Sequence, residues 1–200
     1  MAKCASCGET KGERLCPGLK ASLCSLCCGM KREKEILCPE TCEYLKKGKD
    51  YQRNREIEKK ISSDLQAETA DVFEMDEVAA FAMALERFFI DQFYRDQEIS
   101  DLRIVEALTK VYAFQKRMIP ALVGENRAEE LIVEKFREMN RKFSNLSDEL
   151  KARTILRVIK SIRSSSGGVL GGRNYLEMIY SQHTGKGKWA ELFQKLESEG

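Results

Sequence analysis

The side chains best suited to chemistry in this sequence are its eight cysteines, which all lie within the first 42 of 200 residues. Two pairs have the C-x2-C spacing that lets two thiolates on a tight turn reach one tetrahedral metal ion. A third pair is spaced i, i+4, which would place two sulfurs on one face of a helix. Eight sulfurs at these spacings predict two four-sulfur sites. In chain order the cysteines are Cys4, Cys7, Cys16, Cys24, Cys27, Cys28, Cys38 and Cys42.

Three chemistries compete for these thiols. Disulfides need an oxidising compartment, and the opening Met1-Ala-Lys-Cys contains no apolar leader segment, so we expect a cytoplasmic protein with reduced thiols. Iron-sulfur ligation stays open, because thiolate spacing alone does not choose the metal. Zinc is favoured, because paired cysteines separated by short polar loops suit closed structural sites and the segment is too small to fold on apolar burial alone.

The adjacent Cys27 and Cys28 constrain how the ligands are divided between the two ions. Neighbouring side chains in extended backbone point apart, so these two cysteines should bind different ions. We therefore expect a cross-braced arrangement, in which the two ligand sets interleave along the chain. A closed all-cysteine site leaves zinc no open position for water or substrate, so both ions would be structural. The expected sets are Cys4, Cys7, Cys24 and Cys27 for one zinc, and Cys16, Cys28, Cys38 and Cys42 for the other.

Over residues 4–42 this interleaved spacing resembles that of the cross-braced zinc fingers of the B-box and MYND classes. The resemblance implies a module that presents surfaces to other proteins. Unlike both classes, the segment has no histidine among its ligands, and unlike the MYND class it has an isolated cysteine, Cys16. The run from Cys24 to Arg32, followed by Cys38-Pro-Glu-Thr-Cys-Glu-Tyr-Leu, is also similar to bacterial cysteine-rich proteins, a resemblance that implies no activity.

From Glu43 onward the sequence has the composition and periodicity of a helical protein. Apolar residues recur at three- and four-residue spacing, and the chain carries N-cap signals and a proline stop at matching positions. No alternating strand pattern occurs, and no run approaches the roughly 20 apolar residues of a membrane span. The expected helices are a charged one over 44–65, an amphipathic one through Val78 and Phe93, three from Ser100 to Pro120, Asn126 to Phe143 and Ser147 to Arg163, a short one through Tyr175 and Ile179, and a last one through Trp189, Leu192, Phe193 and Leu196.

These elements predict a mostly α fold, in which a small N-terminal zinc module precedes a bundle of about five to seven helices. The helical part is long enough to bury its own core. The predicted organisation is a zinc module over 1–43, a linker helix over 44–66 and a helical domain over 67–200.

Groups suited to catalysis are sparse. The single histidine, His183, is expected at a helix end or on the surface. The glycines between 167 and 172 could cradle an anion at the N-terminus of the next helix, although a hinge is the favoured interpretation. The sequence therefore assigns no catalytic residue and favours a protein that is not an enzyme. A solvated acidic face is expected from Asp71, Glu74, Glu77, Glu86 and Asp91, because the Glu-x-x-His pattern of carboxylate-bridged metal sites is missing.

The candidate binding surface outside the cysteines is a basic ridge on the 147–163 helix, expected opposite its apolar stripe. Such a ridge could contact phosphates, or could receive the acidic 61–100 segment of this chain or of another copy. The formal net charge of the chain is only +2, and no aromatic residues interleave with the basic ones, which disfavours a nucleic-acid groove. The ridge consists of Arg153, Arg157, Lys160 and Arg163.

The resulting hypothesis is a zinc-binding, non-catalytic adaptor or regulatory protein that interacts with another protein and not with a membrane. Homo-oligomerisation stays open. The first alternative is a nucleic-acid-binding regulator that uses the 147–163 helix and the zinc module. The second alternative is an iron-sulfur protein.

Overall fold

The computed structural model describes residues 2–67, 75–187 and 191. Within these residues the chain forms one two-stranded antiparallel sheet and otherwise helices, which confirms the predicted mostly α fold. It divides into two compact units, Met1–Glu58 and Lys59–Gly200. The elements are β1 (Arg14–Cys16), β2 (Ala21–Leu23), α1 (Ser25–Lys31), α2 (Glu43–Ala67), α3 (Asp76–Phe93), α4 (Asp101–Gln115), α5 (Arg127–Lys142), α6 (Asp148–Ser165) and α7 (Asn174–His183).

None of the helices in the described ranges has the length and apolar character that crossing a bilayer requires. The predicted last helix, through Trp189, Leu192, Phe193 and Leu196, lies outside the described residues.

The N-terminal unit is organised around a short hairpin. β1 pairs with β2 so that Arg14 lies opposite Leu23 and Cys16 opposite Ala21. Leu23 and Ile36 are buried, and the other buried members of this small core are cysteines. The core is therefore built mainly from the residues that the sequence assigns to metal binding.

Helix α2 corresponds to the charged helix predicted over 44–65. Its residue Gly48 makes room for the side chain of Arg32, because a Cβ atom there would lie 1.8 Å from the Arg32 guanidinium. Arg32 in turn donates a hydrogen bond to the carbonyl oxygen of Tyr44, at 3.1 Å. The division between the two units falls inside this helix, after Glu58.

The C-terminal unit buries its apolar residues around helix α6. This helix contacts α3, α4 and α7, and α4 also contacts α5. Ile155, Leu156, Val158 and Ile159 of α6 are all buried, so most of its circumference faces other helices. Such a position at the centre of a bundle explains the apolar richness of this segment.

Two helix starts follow the predicted capping chemistry. The Asn126 side chain accepts a hydrogen bond from the backbone N–H of Glu129 at 3.1 Å, and that of Ser147 accepts one from Leu150 at 3.2 Å. The Glu129 carboxylate does not return to the Asn126 amide as a capping box would. It accepts from the Glu125 N–H and from Lys110. Burial raises the pKa of Glu129, but the hydrogen bonds from Lys110 and Glu125 outweigh burial and lower this pKa overall.

Helix α4 begins where the sequence predicts, with Ser100 as its N-cap, but it ends before Pro120. It ends at Gln115, because Arg117 adopts the left-handed conformation (φ 57°) and the Met118 N–H bonds back to the Ala113 carbonyl at 2.8 Å. This is a Schellman-type termination, which needs no proline. Near the start of the helix Leu102 is 38% exposed, whereas Ile104 is fully buried.

The glycine-rich segment before α7 meets the start of α4, and each caps the other. The Asp101 carboxylate accepts from the N–H groups of Tyr175 (2.9 Å) and Leu176 (3.4 Å) at the start of α7. In return, the carbonyls of Gly172 and Leu170 accept from the first N–H groups of α4. The anion position predicted at this helix N-terminus is thus filled by a carboxylate of the protein itself. Burial raises the pKa of Asp101, although both N–H bonds and Arg173 oppose this shift.

Arg173 caps the C-terminal end of α3. Its guanidinium donates to the carbonyls of Phe93 (3.0 Å), Tyr94 (2.6 Å) and Ile99 (2.6 Å), and also to that of Asp96. The last carbonyls of a helix have no partner within the helix, so one side chain from 74 to 80 positions later supplies the missing donors.

Replacing Arg173 with methionine should therefore destabilise the C-terminal unit. The Phe93 and Asp96 carbonyls keep the backbone N–H groups of Asp96 and Ile99 as donors, but Arg173→Met leaves the Tyr94 and Ile99 carbonyls without the donor that Arg173 supplies. We therefore expect a loss of about 2–4 kcal/mol in the free energy of unfolding. Urea unfolding followed by circular dichroism measures the change. The matched control is Arg103→Met, which removes only an exposed pair with Glu106 and should cost less than about 1 kcal/mol. Equal losses in the two variants would contradict this role of Arg173.

Candidate metal centre

Four cysteine sulfurs come together in the N-terminal unit. The Sγ atoms of Cys4, Cys7, Cys24 and Cys27 all lie within 4.8 Å of one another. Four sulfurs at about 2.3 Å from a central zinc would be separated by about 3.8 Å, so a contraction of up to about 1 Å would close the site. These are the four cysteines that the sequence assigns to the first ion. Their arrangement fits a metal ion held by four thiolates.

The first two ligands lie on a tight turn. The Gly8 N–H donates to the Cys4 carbonyl, and the Cys4 N–H donates to the Thr10 carbonyl, both at 2.8 Å. Gly8 has a φ of +71°, a left-handed conformation that glycine adopts without strain. No atom lies within 4 Å of the position that a Gly8 Cβ would occupy, so backbone conformation and not space explains this glycine.

The last two ligands lie at the start of α1. Cys24 is the N-cap residue of this helix, and its sulfur accepts a hydrogen bond from the Cys27 N–H at 3.3 Å. The hairpin brings the two halves of the site together, because the Ala5 N–H donates to the carbonyl of Ser22, within β2 and two residues before Cys24. The site is thus assembled from a turn, a hairpin and a helix start.

Hydrogen bonds shift the pKa values of Cys7, Cys24 and Cys27 in different directions. The Thr10 hydroxyl lies 3.4 Å from the Cys7 sulfur, and it lowers the pKa of Cys7 to about 6, together with backbone N–H groups. The pKa of Cys24 is also lowered, first by Thr10 and then by the Cys27 N–H. The neighbouring Cys24 sulfur raises the pKa of Cys27 to about 12. Metal binding at this site must therefore displace a proton from Cys27.

The other four cysteines are placed differently. Cys16 ends β1, Cys28 lies in α1, and Cys42 immediately precedes α2, and all three are buried. Cys38 is half-buried against the core that contains Cys16 and Cys28. Across the described ranges, the only group of sulfurs, imidazoles or carboxylates close enough to share an ion is the first one. The eight cysteines form no disulfide.

The predicted basic ridge is not a solvent-exposed ridge. Arg153, Arg157, Lys160 and Arg163 are all half-buried on α6. The physical reason is that α6 is surrounded by α3, α4 and α7, which leaves little of its surface to solvent. A charge pattern along one helix does not reveal how many neighbours that helix has.

His183 lies at a helix end, as the sequence predicts, but the burial of His183 and Glu86 was not indicated by the sequence. His183 ends α7, but its side chain is only 1% exposed and its Nε2 lies 3.9 Å from a Glu86 carboxylate oxygen. The Tyr175 hydroxyl donates to the other Glu86 oxygen at 2.7 Å. The expectation of a solvated face is therefore wrong for Glu86, because α7 packs against this part of α3.

The remaining predicted acidic residues behave differently from Glu86. Asp91 forms an exposed pair with Arg87, and Glu77 accepts from Asn145. Asp71 and Glu74 lie outside the described residues.

Comparison of the chain with protein-family models, with curated proteins and with solved structures gives no match. The cysteine cluster is therefore the main support for a function.

Replacing Cys24 with serine should remove the metal from this site and unfold the N-terminal unit, because structural metal supplies much of the folding free energy of so small a core. We expect loss of the bound metal by elemental analysis, and loss of dispersed amide signals from residues 2–42 by NMR. The control Ser25→Ala changes the exposed neighbour of Cys24 and should retain the full metal content. A native spectrum with unchanged metal content in Cys24→Ser would exclude this residue as a ligand.

Proposed function

We propose that this protein is a zinc-binding, non-catalytic protein that acts in the cytoplasm as an adaptor or regulator of another protein. The observation that carries the proposal is the cluster of Cys4, Cys7, Cys24 and Cys27. Four thiolates complete a tetrahedral shell, so the ion holds the shape of the module and does no chemistry on a substrate. Eight cysteines without a disulfide suit the reducing conditions of the cytoplasm.

Zinc is favoured over an iron-sulfur cluster by the spacing of the four sulfurs. Thiolates on separate iron atoms of a cluster lie farther apart than thiolates that share one ion, and here all four lie within 4.8 Å of one another. The construction of the site from a turn and a helix start also suits a single small ion. The resemblance to B-box and MYND fingers supports the same metal and a protein-binding role.

A second zinc bound by Cys16, Cys28, Cys38 and Cys42 is part of the proposal. Three of these cysteines are buried, and Cys38 packs on the same core as Cys16 and Cys28. The hairpin turn meets the chain just before Cys38, since a Cβ on Gly18 would lie 2.5 Å from the carbonyl oxygen of Leu37.

Exposed apolar side chains on the same unit support a protein partner. Leu15 is 70% exposed, Leu26 is 68% exposed and Leu37 is 94% exposed. Exposed apolar patches on a monomeric protein often mark an interaction site. The proposed module therefore offers a metal-fixed shape and several exposed apolar side chains to a partner.

The protein purified without added metal should contain two zinc ions per chain and no iron, because eight thiolates make two four-sulfur sites. Inductively coupled plasma analysis and the visible spectrum measure this. The double variant Cys38→Ser/Cys42→Ser should retain one zinc ion in the first site. A brown preparation that contains iron would support the iron-sulfur alternative, and a wild-type protein with a single zinc ion would remove the second site.

The nucleic-acid alternative predicts binding of DNA or RNA, whereas the adaptor proposal predicts none. We expect no micromolar binding of fluorescein-labelled DNA or RNA at about 50 mM salt, because the α6 cations are half-buried and few phosphates could be neutralised. Fluorescence anisotropy measures the affinity. The triple variant Lys11→Glu/Lys20→Glu/Lys34→Glu tests the exposed cations of the zinc module. Tight wild-type binding that falls steeply with salt and is lost in this variant would favour the alternative.

A further inference from the structure

The sulfurs of the candidate metal centre differ in their access to solvent. All eight cysteines lie in the described part of the chain, and among them Cys7 alone is exposed. Its partners in the four-sulfur cluster are more protected, because Cys4 is 1% exposed, Cys24 is 8% exposed and Cys27 is half-buried. A dissolved reagent therefore reaches this cluster first at Cys7.

A second thiol lies close to the exposed one. The Cys4 sulfur is within 4.8 Å of the Cys7 sulfur. Both residues belong to the same tight turn, in which the Gly8 N–H donates to the Cys4 carbonyl at 2.8 Å. A disulfide needs about 2.05 Å between its sulfurs, and the C-x2-C spacing forms such disulfides in redox proteins. Cys4 is therefore the thiol best placed to pair with Cys7.

We propose that Cys7 is an oxidation site, at which a hydroperoxide joins Cys7 to Cys4 in a disulfide and so removes two ligands from the metal centre. This inference rests on the four-thiolate site of the proposed function. Thiolates are the nucleophiles that react with peroxides, and exposure decides which thiolate reacts first. The N-terminal module thereby loses its shape when it is oxidised and regains it when it is reduced.

The oxidation takes place in two steps, with hydrogen peroxide as the oxidant. The Cys7 thiolate attacks one peroxide oxygen, so that an S–O bond forms, the O–O bond breaks and hydroxide leaves. The sulfur is thereby oxidised to a sulfenic acid and the peroxide is reduced. The Cys4 thiolate then attacks the Cys7 sulfur, so that the S–S bond forms, the S–O bond breaks and a second hydroxide leaves. The two hydroxides take protons from the solvent and become water.

The disulfide should unfold the N-terminal unit and leave the other unit folded. Cys24 and Cys27 are the two thiolates of the site that remain, and two ligands do not complete a tetrahedral shell. The core around the hairpin has Leu23 and Ile36 as its buried aliphatic residues, and its other buried members are cysteines. The C-terminal unit contains no cysteine, so peroxide at the metal centre does not affect its core.

The test is oxidation of the full-length, metal-loaded protein with hydrogen peroxide, followed by mass spectrometry of its tryptic peptides. Trypsin cuts after Lys3 and Lys11, so Cys4 and Cys7 leave in one peptide, and their disulfide lowers the mass of that peptide by two hydrogens. Dimedone, which traps sulfenic acids, marks the sulfur that is oxidised first. A chromogenic chelator measures the release of metal during the reaction.

We expect dimedone on Cys7, formation of the Cys4–Cys7 disulfide, and release of metal as the disulfide forms. The buried thiols of Cys16, Cys28 and Cys42 are internal controls, and they should be lost several times more slowly at the start of the reaction. Dimedone on Cys4, a first disulfide that joins any other pair, or equal initial loss of all eight thiols would overturn the proposal.

A variant that keeps all eight cysteines tests the role of Cys7. The Thr10 hydroxyl lies 3.4 Å from the Cys7 sulfur, and a hydrogen bond that stabilises a thiolate lowers its nucleophilicity. Thr10→Val should therefore speed formation of the disulfide severalfold at equal metal content. The matched control Thr41→Val replaces an exposed threonine next to Cys42 and should leave the rate unchanged. Unchanged or slower oxidation in Thr10→Val would overturn Cys7 as the attacking residue.

Two further measurements separate this inference from the proposed function. The metal content before oxidation tests the proposed function alone, because a protein without zinc contradicts that function whichever thiol is oxidised first. NMR spectra after oxidation should show loss of dispersed signals from residues 2–42 and unchanged signals from residues 76–183, with recovery after a dithiol reductant and zinc are added. Native signals from residues 2–42 in the disulfide form would overturn the link between oxidation and unfolding.

Discussion

The N-terminal unit depends on one constraint, which is that its buried core is made mostly of cysteine. Four of the six buried residues clustered around the hairpin are Cys4, Cys16, Cys24 and Cys28, and only Leu23 and Ile36 are aliphatic. Elsewhere in this unit Leu45 and Ile57 on α2 are also buried. So few aliphatic side chains bury too little surface to offset the entropy of ordering this segment. The proposed metal–sulfur bonds would supply the free energy that this core lacks. The turn, the hairpin and the start of α1 are arranged as a support for those bonds.

In the C-terminal unit the main constraint is the pairing of backbone groups at the ends of its helices. Its apolar core is large, but α3, α4 and α7 end or begin inside the protein, where unpaired backbone groups are costly. Asp101 and Arg173, which carry opposite charges, supply the missing acceptors and donors at two of these helix ends. Asp101 is fully buried and Arg173 half-buried, and the backbone groups that they bind account for both positions.

The sequence predicted what depends on local chemistry. The caps at Asn126 and Ser147 and the pairing of Cys4 and Cys7 with Cys24 and Cys27 follow from spacing and side-chain type. What it missed depends on contacts between distant segments. Glu86 meets Tyr175 across 89 positions, and no periodicity within either helix reveals this. The half-burial of Arg153 likewise depends on how many helices surround α6. A non-glycine residue in the left-handed conformation, such as Arg117, gives no signal at all.

The long sequence separation between Asp101 and its partners on α7 also affects when the C-terminal unit can fold during translation. Tyr175 follows Asp101 by 74 positions, and at synthesis rates of about 5–20 residues per second the ribosome needs about 4–15 s to add them. Throughout that interval, α3 lacks the donors of Arg173 and α4 lacks the acceptors of the glycine-rich segment. The earlier helices can associate, but these helix ends keep their unpaired backbone groups until residues 170–175 have been synthesised. Completion of the C-terminal unit therefore lags behind the synthesis of α4.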